Sequence, residues 1–297
     1  MLEPARTLPS SPPTLLGVDS DPPVWPGYKP DEMRRAPDGL PARVVRAHNA
    51  HKAHFIKQYA NVVALSMKNK WRARAYIDAY AGPGICWVQD TGRFVLGSPL
   101  IAMQASPNFT HHVFVDMDST CTSALEMRLA GLGATIITAD SNVPDTIAAV
   151  RAAIPRRGCL SLALLDPQGC TLRLETIRVL AEDRAMDLLI NFPVLNLYRC
   201  IGAQDWHVLD AVLGPDWPRG DYGKYGGIDG WGFQAREYFR KELASFGYKF
   251  TSAKEIRGEK RNGRLYDFLL ASRHPLARRL YEDVTKEEAH GQIRMDI

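Results

Sequence analysis

The period of the apolar positions changes once along the chain, near residue 70. From about His48 to Lys68, the apolar residues Phe55, Ile56, Tyr59, Val62, Val63 and Met67 recur three and four residues apart, which predicts an amphipathic helix. From Ala75 onward, short apolar runs alternate with helical segments, the pattern of a parallel sheet built from βαβ units. The predicted strands are AYIDAY (75–80), HVFVDM (112–117), ATIITAD (134–140), LSLALLD (160–166) and MDLLINF (186–192). Between them, SPLIAMQA opens a helix with Ser98 as N-cap and Pro99 in the first turn, and STCTSALEMRLAGLG runs from a cap at Ser119 to glycines 131 and 133. VPDTIAAVRAAI and TLRLETIRVLAED cover the third and fourth crossovers, with Thr171 as the cap of the latter. An irregular stretch is expected after the fifth strand, then a helix over GWGFQAREYFRKELASFG. GYKFTSAKEIRG and RLYDFLLAS read as a closing antiparallel pair, followed by a helix near Leu276 to Thr285.

Five βα units and a terminal hairpin make seven strands with the last one antiparallel. The expected fold class is α/β, a doubly wound sheet of the class I S-adenosylmethionine (SAM) methyltransferase type with helical and loop additions. Half of the 20 prolines lie in the first 41 residues, where SSPPT, SDPPVWPGYKP and APDGLP leave little room for helix or strand. Residues 1–45 therefore read as a Pro-rich arm, with Trp25 and Tyr28 as anchors, and 46–290 as the domain, with an insertion at about 194–232.

Composition adds an expectation of solubility and a clue about charge. The chain has 297 residues, 45% hydrophobic and 24% charged, enough for a full core. No window approaches the roughly 18 uninterrupted apolar residues of a membrane helix, and the N-terminus has no apolar leader, so a cytoplasmic location away from the membrane is expected. Cys86, Cys121, Cys159, Cys170 and Cys200 are odd in number and far apart, signalling neither a disulfide framework nor a zinc site. The net charge is +4, but residues 34–74 alone carry +9 and residues 249–279 carry +6. If these two basic segments meet in space they form a polyanion-binding face, which makes nucleic acid a candidate partner; otherwise they are solvated helix faces.

The candidate chemistry gathers at strand ends. YIDAYAGPG (76–84) ends a strand on an acid and turns on two glycines, letting a nucleotide approach bare backbone at Gly82 and Gly84. A P-loop would need G-K-[ST], and ICWVQD follows instead; a dinucleotide turn would need a third glycine where Trp87 stands and a helix directly after it. SAM remains, with Asp78 suited to its amino group and Asp116 or Asp118 to its ribose. Asp78, Asp116, Asp140, Asp166 and Asn191 all close successive predicted strands, where open α/β sheets bind ligands. LLDPQG (164–169) resembles the DPPY or NPPY motif of amino-group methyltransferases, in which the acid or amide accepts from the target nitrogen and the aromatic stacks on the base, but Gln168 and Gly169 replace the second proline and the aromatic. Asp-Pro is otherwise simply a turn. NFPVLNLYR (191–199) offers Asn191, Phe192 and Tyr198 as a second wall. GPDWPRGDYGKYGGIDGWG (214–232) is either a substrate loop with stacking groups at Trp217, Tyr222, Tyr225 and Trp231 or a plain flexible excursion. His48, His51 and His54 share a helical face without a carboxylate or cysteine at ligand spacing, so no metal is expected.

Taken in order, AHNAHKAHFIKQYANVVAL, YIDAYAGPG, GSPLIAMQ, FVDMD, LLDPQG, NFPVLNLYR and YDFLLASRHPLA resemble the three-Cys-motif partner (TcmP) family over roughly residues 48–280. That resemblance implies a SAM methyltransferase-like fold and a partner protein carrying three cysteines. The entry helix and first motif are also similar to the RlmJ family of ribosomal RNA adenine-N6 methyltransferases. Carried over residue by residue, the resemblance implies that Asp78, Ala81, Gly82 and Gly84 form the SAM turn, Asp116 the ribose acid and Asp140 the adenine-side acid. Asp166 and Pro167, joined by Asn191, would form the catalytic corner, with Gln168, Phe192 and Tyr198 on the substrate side; Lys52 and His51 would lie on the helix that closes over the cofactor. The expected function is methyl transfer from SAM to a nucleic-acid or nucleotide-like acceptor. The alternative is a non-catalytic SAM- or nucleotide-binding subunit of a three-Cys-motif protein.

Overall fold

A computed structural model of the chain describes residues 32–105, 107–219, 222–258 and 263–286, without the side chains of residues 48, 50, 51, 222 and 223. Trp25, Tyr28 and the side chain of His51 thus lie outside the described residues. The elements in order are β1 (Met33–Arg35), β2 (Pro41–Val45), α1 (His48–Met67), β3 (Ala73–Asp78), β4 (Ile85–Val88), β5 (Arg93–Leu96), α2 (Ser98–Met103), β6 (His111–Asp116) and α3 (Ser119–Arg128). There follow β7 (Thr135–Thr138), α4 (Pro144–Ala152), β8 (Cys159–Leu165), α5 (Leu174–Ala181), β9 (Ala185–Phe192), α6 (Val194–Ala203), α7 (Trp206–Leu213), α8 (Ile228–Ser245), β10 (Phe250–Arg257), β11 (Arg264–Ser272) and α9 (Pro275–Lys286).

The main sheet has seven strands in the order β10-β11-β9-β8-β3-β6-β7. β3 pairs in parallel with β6 and β8, and β8 with β9, while β11 runs antiparallel to both β9 and β10. This topology, with chain order reversing beside β3 and one antiparallel strand inserted near the edge, is the class I SAM-methyltransferase-like fold. The strands are apolar on both faces because both are covered. Along β3, Ala75 and Ile77 face the cluster built with α4 to α8, and Tyr76 faces the one built with α1, α2, α3 and α9. That alternation follows from the two-residue period of a strand.

A second sheet, in the order β1-β2-β4-β5, corrects the expected arm. Residues 33–45 are not structureless: β1 and β2 form an antiparallel pair, and β2 lies parallel to β4, with Arg43 opposite Cys86. The segment between the glycine turn and Ser98 is likewise a hairpin, β4 with β5, rather than loop. Arg128 at the end of α3, 5% exposed, joins this sheet to the domain. Its guanidinium grips both oxygens of Asp38 (2.7 and 2.9 Å) and donates to the carbonyls of Pro41 (2.8 Å) and Pro83 (2.5 Å).

Further corrections concern helix ends and the stretch after β9. The cap of α2 is Gly97, not Ser98; that of α3 is Asp118, whose side chain accepts from Thr120 N; and that of α5 is Arg173, not Thr171. Residues 194–213 are two helices, α6 and α7, instead of an irregular stretch. Trp217 and Trp231 are 6% and 2% exposed and belong to the core, so they are not stacking groups of an open loop. No helix of the described residues is long and apolar enough to cross a membrane.

Candidate active site

The strand ends of the central sheet open on a cavity of about 540 Å³. Ala81, Gly82 and Pro83 of the glycine turn, Lys52 of α1, Asp166, Pro167, Gln168 and Gly169 after β8, and Asn191 of β9 all line it. The topology explains the gathering, since β3, β8 and β9 are neighbours and parallel.

At the glycine turn, Gly82 and Gly84 have φ of +64° and +89°, a left-handed region that glycine enters without cost. Gly84 does not face the cavity. A Cβ there would stand 3.0 Å from Leu125 Cδ1 and 3.3 Å from Leu100 Cγ, so this glycine serves packing rather than ligand approach. Asp78 lies beneath the turn with 0% exposure. Its Oδ1 accepts from Tyr80 N (3.2 Å), Ser98 adds a hydroxyl hydrogen bond, and Oδ2 is buried with no hydrogen-bond partner. Burial raises its pKa to about 7, with the charges of Asp166 and Asp116 adding to the shift. Ser98 therefore binds the buried acid in place of the helix end.

Asp116, on the neighbouring strand, accepts from Gly82 N (2.7 Å) and from Asp118 N (2.9 Å), and Arg43 Nη2 lies 3.7 Å from it. Asp116 thus shapes the turn, and like Asp78 it lies behind the residues that line the cavity. Asp118, the alternative, is engaged as the cap of α3. Asp140 is exposed, binds Asn142 N and Nδ2 through Oδ1 (2.9 and 3.1 Å) and does not line the cavity. In this structure it holds the turn before α4.

The opposite end of the cavity is the Asp-Pro corner. Lys52 Nζ stands 2.5 Å from Asp166 Oδ2, and Asn191 Nδ2 donates to Asp166 Oδ1 (2.7 Å). Asn191 Oδ1 is buried and has no hydrogen-bond partner. Phe192 and Tyr198 do not join this wall. Phe192 is 1% exposed and packs on Phe239 at 5.0 Å, and Tyr198 packs on Trp231 at 5.7 Å; both fill the core below α8. A buried phenylalanine after a strand looks the same in sequence whether it packs inward or faces a ligand.

Tyr266, Arg43 and Asn196 line the cavity without having been singled out. The ring centroid of Tyr266, on β11, lies 5.9 Å from Lys52 Nζ. Its signal was its place in the apolar run of the antiparallel strand, which does not say where the ring points. Arg43 lay in the segment read as an arm. Gln89, Arg46 and Gln168 are exposed at the rim, while Ala81 and Gly82 are buried at the far end.

No family model and no curated protein matches the chain. Among solved structures, protein LPL1258 from Legionella pneumophila is similar at TM-score 0.49 and 13% identity, over 81% of this chain and 94% of that one. The O-methyltransferase TomG from Streptomyces achromogenes, in complex with SAM, is similar at TM-score 0.40 and 14% identity, over 76% of this chain and 81% of that one. A putative rRNA methylase from Clostridium thermocellum is similar at TM-score 0.34 and 14% identity, over 71% of this chain and 97% of its own.

Proposed function

We propose that the protein is a SAM-dependent methyltransferase acting on a nucleic-acid or nucleotide-like acceptor. The observation that carries this reading is Asp78, a fully buried carboxylate with an unpartnered oxygen beneath a glycine turn. A buried acid without a partner is costly, and an ammonium group brought against it would relieve that cost. Gly82 would let an adenosyl group lie on bare backbone, and Arg43, which lines the cavity with Asp116 3.7 Å behind it, stands on the side suited to its sugar. The cofactor supplies an electrophilic methyl group on a sulfonium; the residues around it bind, orient and exclude water. Asp166, Asn191 and Tyr266 would hold the acceptor, with Arg43, Arg46 and Lys52 drawing in its phosphates.

Calorimetric titration with SAM and with S-adenosylhomocysteine (SAH) tests the reading. Micromolar binding that Asp78→Ala abolishes supports it, and absence of binding by both ligands rejects it.

A second reading, a non-catalytic nucleotide-binding subunit of a three-Cys-motif protein, is favoured by one feature. Both oxygens of Asp166 are already engaged, by Lys52 and by Asn191, so the corner is closed by the protein's own groups. Binding of SAM with no methyl transfer to RNA, DNA, protein or small-molecule pools, together with co-purification of a cysteine-rich partner, would decide for it.

A further inference from the structure

We propose that Cys170 and Cys200 form a covalent modification site, a dithiol that a disulfide oxidant such as oxidised glutathione closes into an intramolecular disulfide, clamping the loop after β8 to α6. The two residues are far apart in sequence, and the fold brings them together. Cys170 follows Gly169, where the chain bends at a φ of +73°. A Cβ at Gly169 would stand 3.9 Å from Asn196 Nδ2, so the loop runs against α6 at that point. Asn196 and Cys200 are four residues apart on α6 and therefore share one face of it, a turn from each other. One residue further along the loop, the Cys170 thiol shares a hydrogen bond with the thiol of Cys200. Both side chains pack on the core and are only half-buried, so a small oxidant can reach them. The other three cysteines are placed differently. Cys121 Sγ accepts from Arg43 Nη2 (3.2 Å), Cys159 Sγ donates to the carbonyl of Leu160 (3.7 Å), and Cys86 lies opposite Arg43 in the small sheet.

The hydrogen bond sets the order of events. Burial pushes the Cys170 thiol up to about 12 and raises that of Cys200 as well, but the proton Cys170 offers favours the thiolate on Cys200. Cys200 Sγ attacks one sulfur of the oxidised glutathione, and the first glutathione thiolate leaves with the bonding pair. Cys170 then gives up its proton and attacks Cys200 Sγ, and the second glutathione thiolate leaves. Two cysteine thiols are oxidised, one glutathione disulfide is reduced, and the two protons end on the glutathione thiols. Because both cysteine thiols are held above their ordinary range, closure takes minutes to hours near neutral pH. That suits a latch set by sustained oxidising conditions rather than a fast peroxide sensor. The link joins two walls of the cavity, Asp166 to Gly169 on the loop and Leu195 and Asn196 on α6, and leaves the glycine turn at the far end untouched. The pair needs no cofactor, so its closure is independent of the methyltransferase reading above.

The whole protein, equilibrated in glutathione buffers from reducing to oxidising, is denatured, alkylated with N-ethylmaleimide and mapped by peptide mass spectrometry. At the oxidising end two alkylated thiols should be lost and a Cys170–Cys200 cross-link should appear within single chains, while Cys86, Cys121 and Cys159 stay alkylated. Cys200→Ser and Cys170→Ala should each abolish the cross-link. Amide hydrogen exchange of the oxidised protein should slow about tenfold in residues 166–171 and 194–203 and stay unchanged in 76–84. Five alkylated thiols at the oxidising end, separate glutathione adducts without a cross-link, or disulfides joining other cysteines or two chains would overturn the modification site. A Cys170–Cys200 cross-link that leaves exchange unchanged would overturn the clamp.

Discussion

Asp78 combines two demands that pull in opposite directions. Its ionised form is what an ammonium ligand needs, yet burial lifts its pKa from the ordinary carboxylate range to about 7. Between the unfolded value near 4 and about pH 7, the folded state holds a proton that the unfolded chain has lost. Its contribution to stability is therefore present at low pH and is lost as pH rises through that window. Above it, the buried charge costs of the order of 4 kcal/mol. Asp78→Asn should accordingly be as stable as the parent near pH 4 and clearly more stable at pH 8, measured by urea unfolding, while losing SAM. A second consequence concerns the ligand. SAM affinity should fall about tenfold per pH unit below pH 7 and level off above it, with proton release on binding detectable by calorimetry in buffers of different ionisation enthalpy. Asp78 was legible from sequence as an acid ending a strand before glycines. Its orphan oxygen was not, because that depends on where Ser98 and Tyr80 place their donors.

Among the elements, the main sheet was readable and the small one was not. Strands β3, β6, β8 and β9 are near-continuous apolar runs, because helices cover both faces, and each announces itself without its neighbours. β1, β2, β4 and β5 span only three to five residues each, too short to announce themselves singly, and they are held by pairing with one another and by Arg128. Removing that side chain tests the dependence. Arg128→Ala leaves two carbonyls and the Asp38 carboxylate without their shared donor and should lower stability by about 3 kcal/mol. Limited proteolysis should then cut before α1 faster than in the parent. Gly84→Ala forces a side chain into the left-handed region against Leu125 and Leu100, and should cost about 2 kcal/mol or more in thermal or urea unfolding. Similar reasoning explains why α6 and α7 escaped notice: their apolar faces are short and separated by Gln204 in a left-handed conformation, which breaks the pattern.

Across the whole molecule, the two basic segments come together. Tyr59 of α1 donates through its hydroxyl to the carbonyl of Ala277 in α9 (3.4 Å), and Lys254 of β10 lies 5.8 Å from the ring of Phe55. Contact between the segments is not in itself a binding face, since Arg257 pairs with Asp229 and Glu255, and Arg278 with Glu282. Titration with a single-stranded RNA oligomer at several salt concentrations separates the possibilities. A polyanion face predicts an affinity that falls with salt at a slope of about −0.7 per phosphate contacted, reduced by charge reversal at the exposed Lys57 and Arg279. A flat salt response would leave these segments as solvated helix surfaces.

The placement of the glycine turn at the buried end of the cavity, walled by a sheet that Arg128 pins to α3, constrains events in time. An adenosyl group seated on Gly82 would lie behind whatever occupies the space between Asp166 and the rim at Gln89, Arg46 and Gln168. Loading would then be sequential, donor before acceptor, and the spent donor would be the last molecule to leave. Steady-state kinetics should reveal this as product inhibition by SAH that is competitive with SAM and non-competitive with the acceptor.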